Sequence, residues 1–413
     1  MIRRLTGVVQ PYAWGSPVFI PELLGNEPTG EPQAELWLGA HPSAPSTVDG
    51  TPLNELVAAD PEGVVGHAPV AAFGSRLPFL MKVLAADQPL SLQAHPSRTQ
   101  AEQGFAREQA SGVAVDSSQR VYRDDWPKPE VLCALTETEA LCGFRDPEET
   151  YALFERLGVG SATDLVVELS DRQLEPASRL SSVFQRLLET EDRQVIDEVV
   201  EACTDVGQGD RGDADRDFAL FARTGDELGA HYPGDPGVLA ALLMNRVFLR
   251  PNDALFMPAG NLHAYLKGGG VEIMANSDNV MRGGLTPKHI DVPELLSVLD
   301  FTPGFAGFVE PVEESPGVWR YPTPAPEFAL WRLAVDGTPV AAPASGAARI
   351  LLVTEGAVTA RSHDSEVNLV RGQSALLAAG DEVTVEGTGT AFLGGPGVFD
   401  TGPVVVDTPD QVQ

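Results

Sequence analysis

The chain has 413 residues, of which 43% are hydrophobic, and a formal net charge of −31. This length predicts two or three packed units rather than one core, and the apolar content excludes wholesale disorder. A surface this acidic repels nucleic acid and anionic membranes, and no run of about 18 apolar residues is present. We therefore expect a soluble, globular protein without a nucleic-acid or membrane partner.

The N-terminal segment and the cysteines indicate a reducing compartment. The first residues form no sustained apolar stretch and contain no cleavage-site pattern, so a secretory signal is not expected. Three cysteines, Cys133, Cys142 and Cys203, are too few, and odd in number, for a disulfide framework. The sequence therefore predicts a cytoplasmic protein.

Helical signals are concentrated in the middle of the chain. Asp146 can cap a helix whose first turn contains Pro147, and Gly158 can end that helix. Apolar residues then recur at helical spacing within residues 180–200. A Gly- and Asp-rich stretch at 205–217 predicts a loop.

Short apolar runs separated by Gly, Pro, Asn and Asp occupy the rest of the chain and predict strands. The expected fold is therefore mainly β with a helical insertion. Its three predicted units are a discontinuous catalytic domain at 1–145 and 246–305, a helical insertion domain at 146–245 and a C-terminal β domain at 306–413.

Lysine is rare in this chain. Of 28 basic residues only four are lysines, Lys82, Lys128, Lys267 and Lys288. They lie within segments that carry the candidate site residues described next. An anionic substrate would need such cations against the overall negative field of the protein.

Four side chains have the types and the spacing expected of a metal site. Gln93 and His95 are two residues apart, so on a strand both would point to the same face. His263 follows a Pro-x-Gly turn, and Glu130 can supply a carboxylate. This mixed N/O set suits Zn²⁺ or a similar divalent ion. A single histidine beside a proline is more commonly a loop or core residue, so the hypothesis depends on all four.

Short motifs and longer segments connect the chain with a known family. The pattern Pro-x-Gly-x-x-His, which ends at His263, is the second cupin motif, and Gln93-x-His95 stands where the first motif usually has His-x-His. Six segments occur in the order of the signature blocks of type I mannose-6-phosphate isomerases, which this chain resembles. These segments are YAWGS (12–16), AELWLGAHPSAPS (34–46), LPFLMKVLAADQPLSLQAHPS (77–97), KPEVLCAL (128–135), FMPAGNLHAYLKG (256–268) and SDNVMRGGLTPKHID (277–291).

The resemblance implies a fold and a set of site residues. The implied fold has a cupin jelly-roll catalytic domain, an α-helical domain and a C-terminal β jelly roll. The residues that match the family's zinc ligands, for one Zn²⁺ per chain, are Gln93, His95, Glu130 and His263. Arg282 matches an arginine with a catalytic role. The residues that match the family's substrate pocket are Lys82, Lys128, Tyr265, Glu272 and Lys288. Ser91, on the strand face of Gln93, can add a hydroxyl.

One local departure from the family is visible. Many relatives carry Asn-His immediately before Lys-Pro-Glu, whereas this chain has Trp126-Pro127. The change leaves the implied zinc ligands unaffected. We expect the change to alter the wall of the pocket or the position of Lys128 within it.

The implied activity is zinc-dependent interconversion of mannose 6-phosphate and fructose 6-phosphate, which serves carbohydrate metabolism and the supply of GDP-mannose. A proton moves between C1 and C2 through an enediol-like intermediate, and a metal or a cation stabilises the charge that develops on oxygen. The proton carrier is left open among Glu272, a metal-linked water and Lys128. Arg282 and Lys288 can bind phosphate, and Gly283 and Gly284 between them allow close backbone approach to a ligand.

Alternative functions follow from the same residues. A different metal-dependent cupin would act on another phosphosugar, and an iron oxygenase would more often show a two-His-one-carboxylate triad. A non-catalytic sugar-binding cupin would be expected to have lost ligands or Arg282, and all are present here. The expected partner is a phosphosugar, and the expected state is a monomer.

His41 is interpreted as a turn residue, and the aromatic residues interpreted as core are Tyr12, Trp14 and Trp37.

Overall fold

The structure is a computed structural model that describes residues 1–208, 216–304 and 307–399. Part of the predicted loop at 205–217, the predicted boundary at 305/306 and the last residues of the predicted C-terminal unit lie outside these ranges. The strands are β1 (Ile2–Thr6), β2 (Val8–Gln10), β3 (Glu35–Gly39), β4 (Thr47–Val48), β5 (Thr51–Pro52), β6 (Phe79–Ala86), β7 (Gln93–Ala94), β8 (Glu130–Ala134), β9 (Thr138–Phe144), β10 (Met244–Leu249), β11 (Ala254–Met257), β12 (His263–Ala275), β13 (Met281–Arg282), β14 (Phe308–Val309), β15 (Val312–Ser315), β16 (Val318–Tyr321), β17 (Ala329–Asp336), β18 (Val340–Ala341), β19 (Arg349–Arg361), β20 (Glu366–Val370), β21 (Ser374–Leu377) and β22 (Thr384–Gly395).

The helices are short near the N-terminus and longer in the middle of the chain. They are α1 (Phe19–Leu23), α2 (Leu53–Ala59), α3 (Pro61–Val65), α4 (His67–Phe73), α5 (Arg98–Ala110), α6 (Pro147–Leu157), α7 (Gly160–Val166), α8 (Pro176–Leu188), α9 (Arg193–Gln208), α10 (Arg216–His231), α11 (Gly237–Ala241) and α12 (Val292–Val298), with a 3₁₀ turn at Val167–Ser170. Within the described residues, none of these helices combines the length and the apolar character needed to cross a bilayer.

Helices α6 to α11 follow one another in the predicted insertion. Asp146 caps α6 by accepting hydrogen bonds from the backbone N–H groups of Glu148 and Glu149, and Gly158 ends it with a left-handed φ of 83°. The predicted loop at 205–217 is wrong at both ends, because α9 continues through Val206, which is buried, and α10 begins at Arg216. The remaining residues of that stretch lie outside the described ranges.

Strand β12 belongs to both sheets of the predicted catalytic domain. One sheet has the order β14-β11-β8-β12-β6-β3-β2, and in the other β12 pairs with β9 and β7. The strand passes between them at Gly268, whose φ is +111° and whose Cβ position would lie 2.5 Å from Thr138 Oγ1. A side chain does not fit there. Gly268 therefore allows the strand to pass from one sheet to the other.

The C-terminal sheet packs on the outer face of the catalytic domain. Its order is β15-β16-β17-β22-β19-β21-β1-β4-β5, so the first strand of the chain pairs with β21. Met81 and Ile273 of the catalytic sheet share a hydrophobic core with Ile350 and Phe392 of the C-terminal sheet. Residues 1–145 therefore contribute strands to both units, and the three predicted domain ranges stay a prediction.

A buried arginine joins the predicted helical insertion to the predicted catalytic domain. Arg246 on β10 is 3% exposed and bonds Glu139 of β9 and Glu227 of α10, the latter at 2.6 Å. We expect Arg246→Met to lower the free energy of unfolding by about 2 kcal/mol, less than for fully buried pairs because both carboxylates are partly exposed. Arg223→Met is the control, because Arg223 binds the same carboxylates but is 47% exposed, so its loss should cost under about 1 kcal/mol. Urea unfolding followed by circular dichroism measures both, and equal losses would contradict the anchoring role.

Candidate active site

Charged side chains occupy the inner face of four neighbouring strands, β3, β6, β12 and β8. Along β6, Met81 and Val83 point outward into the core shared with the C-terminal sheet, so Lys82 between them points inward. The register places Lys82 directly opposite Glu272 on β12. It also places Glu130, at the start of β8, opposite Met274, two residues from Glu272. Strand alternation and register therefore bring these three charges to one end of the sheet.

The metal-type ligands predicted from the sequence converge at this end. Glu130 lies between two histidines, with its Oε2 3.3 Å from His95 Nε2 and its Oε1 3.0 Å from His263 Nε2, and all three side chains are buried. Gln93 on β7 pairs with His263 on β12 in the backbone register and lines the adjoining cavity. Lys128 Nζ lies 3.3 Å from His95 Nε2 and 3.2 Å from Glu130 Oε2. A positive charge thus contacts the atoms that would bind a cation.

Backbone carbonyls fix the proton positions on both imidazoles. His95 Nδ1 lies 2.8 Å from the carbonyl oxygen of Asn279, and His263 Nδ1 lies 3.1 Å from that of Asn261. A carbonyl only accepts, so each Nδ1 carries the proton and each Nε2 presents its lone pair towards Glu130. His263 Nε2 and Glu130 Oε1 are buried without a hydrogen bond of acceptable geometry. Because unsatisfied buried polar atoms are costly, this donor set fits a divalent cation such as Zn²⁺.

The protonation states suit metal binding. Burial, followed by repulsion from Lys128, lowers the pKa of His95 to about 4, so this imidazole is neutral at pH 7. Burial alone would raise the pKa of Glu130, but attraction by the positive charge of Lys128 opposes it, and the pKa is lowered well below its usual range. The cluster therefore holds a neutral imidazole and a carboxylate, the forms in which these groups ligate metals.

A second group of buried charges adjoins the cluster. Lys82 Nζ lies 3.3 Å from Glu35 Oε1 and 3.3 Å from Glu272 Oε2. Trp37 Nε1 donates to Glu35 at 2.7 Å, and the Tyr265 hydroxyl donates to Glu272 at 3.4 Å. Burial would lower the pKa of Lys82, but its carboxylate neighbours outweigh burial and raise it. Burial and the charge of Glu130 raise the pKa of Glu272 to about 7, although Lys82 opposes the shift.

The predicted site residues line one cavity of about 690 Å³. The lining residues among them are Lys82, Ser91, Gln93, Lys128, Glu130, Tyr265, Glu272, Arg282 and Lys288. His95 and His263 are fully buried and do not line the cavity. Both contact Glu130, which does line it. Three of the four lysines thus lie on one cavity, whereas Lys267 is exposed on β12.

Three cations form one side of the cavity. Arg123, Arg282 and Lys288 all line it, and among the described residues none of them forms an ion pair. Burial and repulsion from Arg123 lower the pKa of Arg282, and burial with repulsion from both arginines lowers that of Lys288. An uncompensated cation cluster in a chain of charge −31 is a binding site for an anionic group.

Gly284, the second of the two glycines between Arg282 and Lys288, serves packing. Gly284 has a φ of +118°, and a Cβ there would lie 2.5 Å from Gly237 Cα of α11. Its close backbone contact is therefore with the helical insertion, whereas the sequence predicted close approach to a ligand.

Several cavity residues were interpreted from the sequence as structural, or were not singled out at all. Tyr12, Trp14 and Trp37 line the cavity, and Tyr12 is 42% exposed, so its interpretation as a core aromatic is wrong. His41 also lines it, with Nε2 3.3 Å from Asp278 Oδ1. The period-two alternation of β3 was a usable signal for Glu35 and Trp37. The residues that sequence reasoning missed are Glu35, Arg123, Asp278 and Asn279.

Comparisons with known proteins decide the family. Residues 2–147 match the family described as phosphomannose isomerase type I, catalytic domain. Mannose-6-phosphate isomerase from Escherichia coli strain K12 is 37% identical over 402 residues, which cover 94% of this chain and 98% of that protein. The chain belongs to the mannose-6-phosphate isomerase family. The human mannose-6-phosphate isomerase is 32% identical over 410 residues, covering 92% and 94% of the two chains.

Solved structures of mannose-6-phosphate isomerases share the complete fold. The apo form from Salmonella typhimurium superposes with a TM-score of 0.85 at 34% identity, covering 96% of this chain and 99% of that one. A mannose 6-phosphate isomerase structure bound with zinc and yttrium gives the same TM-score, identity and coverage. The predicted family and fold class, a cupin catalytic domain with a helical insertion and a C-terminal β unit, are thereby confirmed.

Proposed function

We propose that this chain is a zinc-dependent mannose-6-phosphate isomerase that interconverts mannose 6-phosphate and fructose 6-phosphate. The observation that carries the proposal is the shared cavity, which joins a buried metal-type ligand cluster to an uncompensated cation cluster. The metal-type cluster suits the sugar end of a substrate, where charge develops on hydroxyl and carbonyl oxygens. The cation cluster suits a phosphate group. Family membership supports the same substrate pair.

Gln93, His95, Glu130 and His263 would hold the zinc ion. When bound there, zinc supplies a Lewis acid that stabilises negative charge developing on a sugar oxygen. Lys128 contacts two of these ligands and keeps a positive charge beside them.

Glu272 is our proposed carrier of the proton between C1 and C2. A raised pKa of about 7 suits a group that must both take and return a proton near neutral pH. Lys82 and Tyr265 each contact one of its oxygens and fix its orientation. Lys128 suits this role less, because its ammonium is engaged by the zinc ligands.

Arg123, Arg282 and Lys288 are proposed to bind the phosphate. We expect Lys288→Met to raise KM for mannose 6-phosphate about tenfold with kcat within about twofold, because one exposed charge-assisted contact is lost in ground and transition state alike. Lys267→Met is the matched control, since it also removes one lysine charge but outside the cavity. Steady-state kinetics compare the two, and equal KM values would contradict the assignment of Lys288.

The proposed reaction is tested by assaying conversion of mannose 6-phosphate to fructose 6-phosphate in protein as purified, after chelation and after zinc is restored. We expect activity that disappears with the chelator and returns with zinc. A folded sample with stoichiometric zinc that converts no substrate would overturn the proposal. Calorimetric binding of mannose 6-phosphate without turnover would then indicate a sugar-binding protein, and turnover of another phosphosugar a different isomerase.

We further propose that the chain acts as a monomer in the cytoplasm. All three cysteines are buried free thiols, which suits a reducing compartment. Light scattering coupled to size-exclusion chromatography tests the monomer, and a dimer mass would contradict it.

A further inference from the structure

Asn279 is fully buried on the segment between β12 and β13, and its side chain bonds a second segment, residues 123–126. Its Nδ2 donates to the carbonyl oxygens of Asp124 at 2.9 Å and Trp126 at 2.8 Å. Its Oδ1 accepts from the backbone N–H of Arg123 at 2.7 Å and of Asp124 at 3.3 Å. The amide thus takes the place of a strand neighbour for a segment that has none.

The same residue contacts a proposed zinc ligand through its backbone. The carbonyl of Asn279 accepts from His95 Nδ1 at 2.8 Å, the bond that leaves the Nε2 lone pair free for a metal. Its side chain therefore holds in place the carbonyl that fixes the tautomer and the ring orientation of His95.

The far side of the 123–126 segment is also constrained. The guanidinium groups of Arg76 and Arg98 lie over the Trp126 ring, 4.6 Å and 5.2 Å from its centroid. Asp124 accepts from the Ser277 hydroxyl at 2.8 Å, which fastens the segment to the residues before Asn279. Both segments are thus clamped together, and Asn279 is the member of this clamp that contacts His95.

We propose that Asn279 is a positioning residue, which orients His95 for zinc and holds the segment that leads from Arg123 to Lys128. The inference rests on the proposed zinc site but not on the isomerase reaction. The chemistry requires an amide: aspartate would lose both donated bonds and place a carboxylate next to Asp124, and a smaller side chain would remove the partner of four backbone groups in the 123–126 segment.

The test compares Asn279→Asp with Asn276→Asp. Asn276 lies three residues earlier and donates only to the Leu77 carbonyl, at 3.3 Å, so the control makes the same chemical change away from His95. Zinc affinity of the metal-free full chain is measured by competition with a chromophoric chelator. We expect Asn279→Asp to bind zinc about 10- to 100-fold more weakly than wild type, as for other outer-shell partners of metal-bound histidines, and the control to stay within about threefold.

Two further measurements separate positioning from general damage. The His95 Nδ1 proton, observed by ¹⁵N-edited NMR, should exchange faster with water in Asn279→Asp than in wild type. If Asn279→Asp does not fold, Asn279→Ser replaces it in both measurements. If Asn279→Asp and Asn276→Asp bind zinc with equal affinity, whether or not that affinity is reduced, the inference is overturned. A wild-type chain that binds no zinc would instead overturn the proposed zinc site.

Discussion

Glu130→Gln is expected to abolish zinc binding and to lower kcat/KM about 1000-fold or more. Glu130 contacts both histidines of the cluster and is the only carboxylate among the proposed ligands. The amide keeps the size of the side chain but removes the only anion of the ligand set, which offsets the charge of a bound divalent cation. Loss of several kcal/mol of charge stabilisation in the transition state corresponds to about three orders of magnitude in rate.

The same substitution has a signature that does not depend on turnover. Zinc should raise the thermal unfolding midpoint of the wild type, because ligands that bind the folded state stabilise it, and should leave that of Glu130→Gln unchanged. Glu137→Gln is the control, since it makes the same change at an exposed carboxylate on the β8–β9 turn. A Glu130→Gln protein with stoichiometric zinc and near-normal kcat/KM would rule out Glu130 as a ligand.

Local rules in the sequence were sufficient for the layout of the fold. Asp146 and Gly158 delimit α6 as the capping rules predict, and short apolar runs bounded by turn residues predicted strands on both sides of the helical insertion. The pairing of β1 with the C-terminal β21 could not be predicted, because its partner lies more than 350 residues away. The extension of α9 to Gln208 depends on tertiary burial of Val206 rather than on local helix signals.

The candidate site was predictable where it carries a motif and unpredictable where it depends on register. Gln-x-His and Pro-x-Gly-x-x-His indicated His95 and His263 directly. Glu35 is brought to Lys82 only by the pairing of β3 with β6. Asn279 acts through an amide and a carbonyl, whose role is set by the segment opposite them. Single-segment patterns contain no information about such cross-chain partners.

Lys82→Met is expected to destabilise the protein and to impair catalysis through Glu272. Lys82 is the cation between two buried carboxylates, and removing one partner of a buried ion pair typically costs about 3–5 kcal/mol. Its loss also raises the pKa of Glu272, already about 7, because the opposing charge is gone. If Glu272 carries the proton as a carboxylate, the acidic limb of the kcat/KM profile should shift to higher pH.

The pH dependence of stability follows from the same carboxyl group. In Lys82→Met, Glu272 binds a proton in the folded state at pH values where the unfolded chain, with an ordinary pKa of 4.5, has released it. The variant should therefore lose stability as the pH rises above 4.5 and through the raised folded pKa, and its deficit against wild type should be larger at pH 8 than at pH 6. Urea unfolding at both pH values measures this.

A second substitution separates charge balance from catalysis. Adding Glu35→Gln to Lys82→Met removes one of the two carboxylates that Lys82 had neutralised, so much of the lost stability should return. Activity should stay low, because the contact between Lys82 and Glu272 is still absent. Recovery of both stability and kcat/KM in the double variant would mean that Lys82 serves only the charge balance of the fold, and Glu272 would then need no cation beside it to move the proton.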